Sequence, residues 1–323
     1  MTILAALVFL ISNVAAVAIA TELSIRIVAK QFSPMLRIAG GIASYVIIVS
    51  LLTIVLGHFG WLDARVATGV LAVPAIAAFI MLKRRFSKAP RVTVDLRQAC
   101  DWSPLLPIAL GLGAWWLLRN LALGSYISLD DKTYHAAILA HWLREGGFDI
   151  APTTYQAYYP FNGELLCLWF MLPFGHDGAV PFNGLVYLAL FISLSLHFAH
   201  AFNIPKRWQL LPAVLVLASN GIFSHLTTFA DVDFCAPVML LAATAFLLAS
   251  LDSGNVPERH AHHRALGLLG GACAGFAVGM KVSFAPPVAL LCFIYAVVLS
   301  RRLPRQAASA CLGVGLSAFI TGS

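Results

Sequence analysis

Charge is scarce in this sequence. Asp, Glu, Lys and Arg make up 11% of its 323 residues, where a soluble domain carries about 25%. With 60% hydrophobic residues, the chain has too little polar surface to coat a soluble globule. Metal-binding cysteine spacing is also missing. The six cysteines, at 100, 167, 235, 273, 292 and 311, contain no C-x-x-C pair and lie mostly in apolar runs, so neither a zinc site nor a disulfide framework is indicated. No ten-residue alternation of apolar and polar positions recurs, which excludes an outer-membrane barrel. No internal repeat is visible. A basic segment does not precede the first apolar run, so residues 3–20 read as a retained span and not as a cleaved signal peptide.

What is present is a series of apolar runs of about 18 or more residues, the length that crosses a bilayer as a helix. Such segments must satisfy their own backbone groups, so the expected class is all-α, a polytopic membrane protein of about ten helices. The spans are expected near 3–20, 36–57, 65–83, 105–121, 181–202, 209–225, 234–251, 265–281, 286–300 and 306–321. The run GELLCLWFMLPFG, 163–175, is too short to cross about 30 Å of hydrocarbon and reads as interfacial or re-entrant. If it does not cross, sixteen of the 21 cationic residues fall on one side. The other side keeps Arg65, Arg119, Lys132, Arg144 and Lys281. That asymmetry marks the first side as cytoplasmic. It also accounts for the net charge of +7 through insertion, without nucleic-acid binding.

The acids are distributed the other way. The stretch SLDDKTYH carries Asp130 and Asp131 in a long outer loop, 122–180, and SHLTTFADVDF carries Asp231 and Asp233 in the next one. After Asp131 the positions Tyr134, Ile138, Leu139, Trp142 and Leu143 recur at helical spacing and Gly146-Gly147 is a stop. This stripe is too short to span, so it is expected to lie flat in the interface with Tyr134 and Trp142 as anchors. One aspartate before such a helix is a cap. A second, beside a like charge at a lipid surface, has the setting of a general base. The following DIAPTTYQAYYPFNGELL offers tyrosine faces and hydrogen-bonding groups: Tyr158, Tyr159, Asn162 and Glu164. These suit a polyhydroxylated ligand, although tyrosines also form headgroup belts. Asp231-Val232-Asp233 can share a hard cation such as Mg²⁺ or Mn²⁺, and Lys281 is either a snorkelling lysine or a partner for a phosphate at headgroup level. The HAHH run at 260–263 reads as a solvated cytoplasmic loop, with metal binding the lesser alternative.

The order of these features is a span, an outer D-x-x-x-Y-H, a helix with HWL, a Tyr/Pro-rich stretch, a long span, a basic loop, a span and an outer acidic loop. It resembles the GT-C membrane glycosyltransferases, and within them the bacterial family-39 and RgtA/B/C/D-like proteins, relatives of protein O-mannosyltransferases and lipid A aminoarabinose transferases. The phrase GFAVGMKVSFAPP resembles the family's glycine-rich, lysine-ended span. The likeness covers roughly 105–323, leaving 1–104 as an N-terminal three-helix extension with a basic cytoplasmic loop. Family members run on through further spans, so the resemblance implies a core that continues beyond Ser323.

The resemblance implies a bacterial inner-membrane enzyme with its active face outside. It would move a hexosyl or pentosyl group from a polyprenyl-phosphate carrier to a glycan, lipid or protein hydroxyl. Asp130 would be its base and Asp131 the cap; Asp233 or Asp231 would be the second acid, and Lys281 would face the lipid phosphate. Tyr134 and His135 lie in the matched motif and join the substrate-binding group. The rival function is a multi-pass transporter or lipid or glycan flippase, which explains the spans but predicts acids at the bilayer midplane and repeated halves.

Overall fold

A computed structural model describes residues 3–28, 32–87, 105–123, 135–149, 161–176, 179–219, 232–253, 260–302, 311 and 313–316. Asp130, Asp131, Tyr134, Tyr158, Tyr159 and Asp231 lie outside the described residues. Every regular element among the described residues is helical. In chain order these are α1 (Ile3–Ile27), α2 (Pro34–His58), α3 (Ala64–Phe86), α4 (Leu106–Leu123), α5 (Ala136–Glu145), α6 (Asn162–Met171), α7 (Pro181–Ala201), α8 (Leu211–Ala218), α9 (Val232–Ser253), α10 (His260–Met280) and α11 (Ala285–Arg302). Six are long and apolar enough to cross a membrane: α1, α2, α3, α7, α9 and the stretch Val282–Arg301 that contains most of α11. The chain is an all-α, multi-pass membrane protein. Of the other expected spans, 105–121 and 265–281 are helical as α4 and α10, and 209–225 is helical over Leu211–Ala218. Of the span expected at 306–321, the described positions 311 and 313–316 are helical.

Local chemistry sets the helix ends. Ser33 caps α2, its side chain accepting from the Leu36 amide, with Pro34 at the first helical position. Asp63 caps α3, accepting from the amides of Arg65 and Val66 at 2.6 and 3.3 Å. Gly146, with φ of 71°, ends α5 in the left-handed conformation that a glycine tolerates. Small residues bring α9 and α10 together. A Cβ on Gly270 would stand 2.8 Å from Leu247 Cγ and 3.2 Å from its backbone nitrogen. Ala242, Ala243, Ala274 and Ala277 are fully buried in the same core. Close approach through small side chains drives helix association in lipid, where tails are as apolar as leucine.

Side-chain bonds sort the helix ends into two groups. Glu22, 6% exposed, holds Arg26 at 2.8 Å and Arg85 at 3.3 Å, which joins the ends of α1 and α3. Ser33 meets His197 of α7 at 2.8 Å, and His262 of α10 meets the Ile27 carbonyl at 3.2 Å. These contacts collect Arg26, Arg85 and the start of α10 at one basic end. At the opposite end the turn after α5 docks on the turn between α2 and α3. The Phe148 amide donates to the Gly57 carbonyl at 2.9 Å, and the Leu62 amide to the Gly146 carbonyl at 2.8 Å. A Cβ on Gly147 would lie 3.0 Å from Gly60 Cα, so this junction is backbone against backbone.

The fold departs from two expectations. The stripe of α5 does not face lipid. Ile138, Leu139 and Trp142 are buried in the protein core, and Trp142 packs on Phe148 and Phe161 while donating to the Asp149 carbonyl at 3.0 Å. The histidines at 260–263 begin α10 and are not a solvated loop. His263 is fully buried, with its Nδ1 2.8 Å from the Ser250 carbonyl oxygen and 3.0 Å from its hydroxyl. That pairing with α9 draws the ring inside.

Candidate functional site

The short run at 163–175 forms α6, and all ten of its residues are buried. Ten residues rise about 15 Å, half the hydrocarbon thickness. The helix is enclosed by α2, α7, α9 and α10. Glu164 sits in its first turn, 2% exposed, and its Oε1 lies 2.5 Å from Nδ1 of His135, whose side chain is 8% exposed. His135 is the residue immediately before α5. The pair therefore ties the start of α5, where the Asp130-Asp131 segment enters, to the interior helix. Asn162 is also buried. Of the expected substrate-binding residues, these three are turned inward, and the imidazole and the carboxylate are presented to each other.

The second constellation is at the same end of the bundle. α10 starts at the basic end beside Ile27, so its other terminus, Lys281, is at the opposite one. Asp233 is in the first turn of the antiparallel α9. The close α9–α10 packing places the Lys281 ammonium on Asp233 Oδ1, an ion pair whose two side chains are each 44% exposed. Lys281 has extended backbone, φ −153° and ψ 114°, between α10 and the single turn Val282–Phe284. Asp233 is also the charged group lining a 390 Å³ cavity among α7, α8 and α9, whose walls include Phe191, Val216, Phe234, Pro237 and Leu241. The sequence placed Asp233 and Lys281 on one face with separate ligands. In the fold they are bonded to one another.

A buried tyrosine sits in the core behind both constellations. Tyr187 of α7 is fully buried, and its ionisable neighbours are Glu164, Cys167, Cys235 and Cys273. Cys235 is two residues from Asp233. The interior behind His135 is thus continuous with the interior behind Lys281. Tyr187 has no signal in the sequence, because a lone tyrosine in an apolar run carries no motif.

Among the described residues no group of three His, Cys, Asp or Glu side chains is placed to hold a metal ion. A divalent ion at Asp233 would have to share the carboxylate with the ammonium already on Oδ1. The described half of the Asp231-Val232-Asp233 motif is thus ion-paired to Lys281. No protein-family model, curated protein or solved structure matches the chain.

Proposed function

We propose that this chain is a membrane glycosyltransferase that moves a sugar from a polyprenyl-phosphate carrier to an acceptor hydroxyl on the extracytoplasmic face of a bacterial inner membrane. The observation that carries the reading is the Asp233–Lys281 pair, half-exposed, beside an apolar cavity at the end of the bundle away from Arg26 and Arg85. A lipid-linked sugar phosphate has the complementary form: a hydrocarbon chain for an apolar recess and an anion for an ammonium. The charge asymmetry of the loops supports placing this end outside.

In this mechanism Asp130 takes the proton of the acceptor hydroxyl. The oxygen attacks the anomeric carbon, and the bond from that carbon to the phosphate oxygen breaks. The polyprenyl phosphate leaves with one more negative charge than it had in the diester. Lys281 stabilises that charge as it develops, which is where preorganised electrostatics contribute most. Asp233 keeps the ammonium in position before the donor arrives. His135 and Glu164 act as positioning residues, fixing where the Asp130 segment joins α5. No step is assigned to a metal.

The test is transfer of a radiolabelled sugar from a polyprenyl phosphate by the full-length protein in proteoliposomes. Asp130→Asn should reduce turnover about 10²–10⁴-fold, the usual contribution of a general base. Normal turnover by that variant would overturn the assignment. Uptake or flipping of the lipid-linked sugar without transfer would return the transporter.

A further inference from the structure

We infer that a second cavity at the outer end of the bundle binds the phosphate head group of an anionic membrane lipid, independently of Lys281 and of the transfer reaction. The cavity measures 790 Å³ and lies among the first turns of α1, the turn between α2 and α3, the outer face of α5 and the chain that follows α6. Its α5 wall is Ala136, Ala140, Leu143 and Arg144. These positions are spaced i, i+4, i+7 and i+8, a single helix face, and it is opposite the stripe of Ile138, Leu139 and Trp142 that packs inward. The two alanines leave the recess, and the arginine edges it.

Two of the five cations on this side of the protein, Arg65 and Arg144, line the cavity together with His176. Arg65 is exposed, and its guanidinium has no hydrogen bond or ion pair among the described residues. Arg144 is 73% exposed; its Nε lies 3.2 Å from Glu145 and one terminal nitrogen lies 3.2 Å from His141 Nδ1, which leaves the other terminal nitrogen open. The acid in the lining, Asp63, has Oδ1 turned to the amides of Arg65 and Val66 at the start of α3, so its charge is offset by that helix end. Guanidinium groups match phosphate oxygens two at a time.

The remaining wall decides between a lipid and a soluble anion. Leu4 lines the cavity and is itself 56% exposed, and Ile3 and Leu7 on the same helix are 82% and 49% exposed. α1 is a membrane-crossing helix, so these side chains face hydrocarbon. The cavity opens where that apolar surface meets the arginines, at the level where a head group sits above its chains.

The experiment is native mass spectrometry of the full-length protein released from vesicles of phosphatidylcholine with and without phosphatidylglycerol. Wild type should retain one phosphatidylglycerol with a preference of about 30-fold over phosphatidylcholine, as two interfacial cations supply. Arg65→Gln combined with Arg144→Gln should bring the preference close to unity. Ala140→Trp, which keeps both arginines and fills the recess, should exclude the lipid. Lys281→Ala should leave the preference intact. The inference is overturned if retention follows Lys281 and not the arginines, or if Ala140→Trp changes nothing. It is also overturned if millimolar inorganic phosphate displaces the lipid, since the site would then need no chain.

Discussion

Breaking the contact between His135 and Glu164 tests how the interior of the bundle is held. The two groups are 8% and 2% exposed and 2.5 Å apart. Glu164→Leu leaves the imidazole facing an apolar side chain. Removing one partner of a buried charged pair costs about 3–5 kcal/mol, and removing a neutral buried acceptor costs about 1–3 kcal/mol. The single variants Glu164→Leu and His135→Leu should therefore each unfold more readily. Replacing both with leucine removes both members of the pair, so the double variant should recover part of the loss. The coupling between the sites should be about 2 kcal/mol or more, within the range for side chains in contact. The assay is a double-mutant cycle on equilibrium unfolding in mixed detergent and SDS micelles. Additive losses, within about 0.5 kcal/mol, would refute the idea that this contact ties α5 to α6.

Three other outcomes follow from the same geometry. Asp233→Asn and Lys281→Ala break a pair that is 44% exposed on each side, so each should change stability by less than about 1 kcal/mol; transfer in proteoliposomes should fall in both, and unchanged transfer would remove the pair from the site. Gly270→Ala pushes a methyl to 2.8 Å from Leu247 Cγ and should cost about 1–3 kcal/mol by overpacking, with reduced yield of folded protein in detergent as the readout; a neutral result would mean α9 and α10 are not in that close register. Because Lys281 already occupies Asp233, EDTA should leave the transfer rate within about twofold of its starting value; a loss restored by Mg²⁺ would put a cation back into the mechanism.

Much of the architecture was legible in the sequence because lipid imposes simple rules. The runs expected at 36–57, 65–83 and 234–251 are helices Pro34–His58, Ala64–Phe86 and Val232–Ser253, and the stop at Gly146 appears as a left-handed cap. The run at 163–175 was too short to span, and it forms a short helix, but its complete enclosure was not legible. An apolar stripe looks the same whether lipid or protein covers it, and for that reason Trp142 was expected at the membrane surface. The burial of His263 is not legible because the groups that draw it inside, the hydroxyl and carbonyl of Ser250, belong to another helix. The Asp233–Lys281 bond joins residues 48 positions apart and depends on how closely Gly270 admits Leu247. The cavity beside Arg65 had only one signal in the sequence, two arginines on the side where cations are few.

In the proposed enzyme the two acidic segments serve one site on one face of the membrane. The most direct measurement is labelling with a membrane-impermeant maleimide in right-side-out vesicles. It uses single cysteines at 130 and 233 in a chain whose six native cysteines are replaced. Both positions should label from the outside without lysis. If either labels only after the vesicles are opened, the two acids face opposite compartments and the account is contradicted.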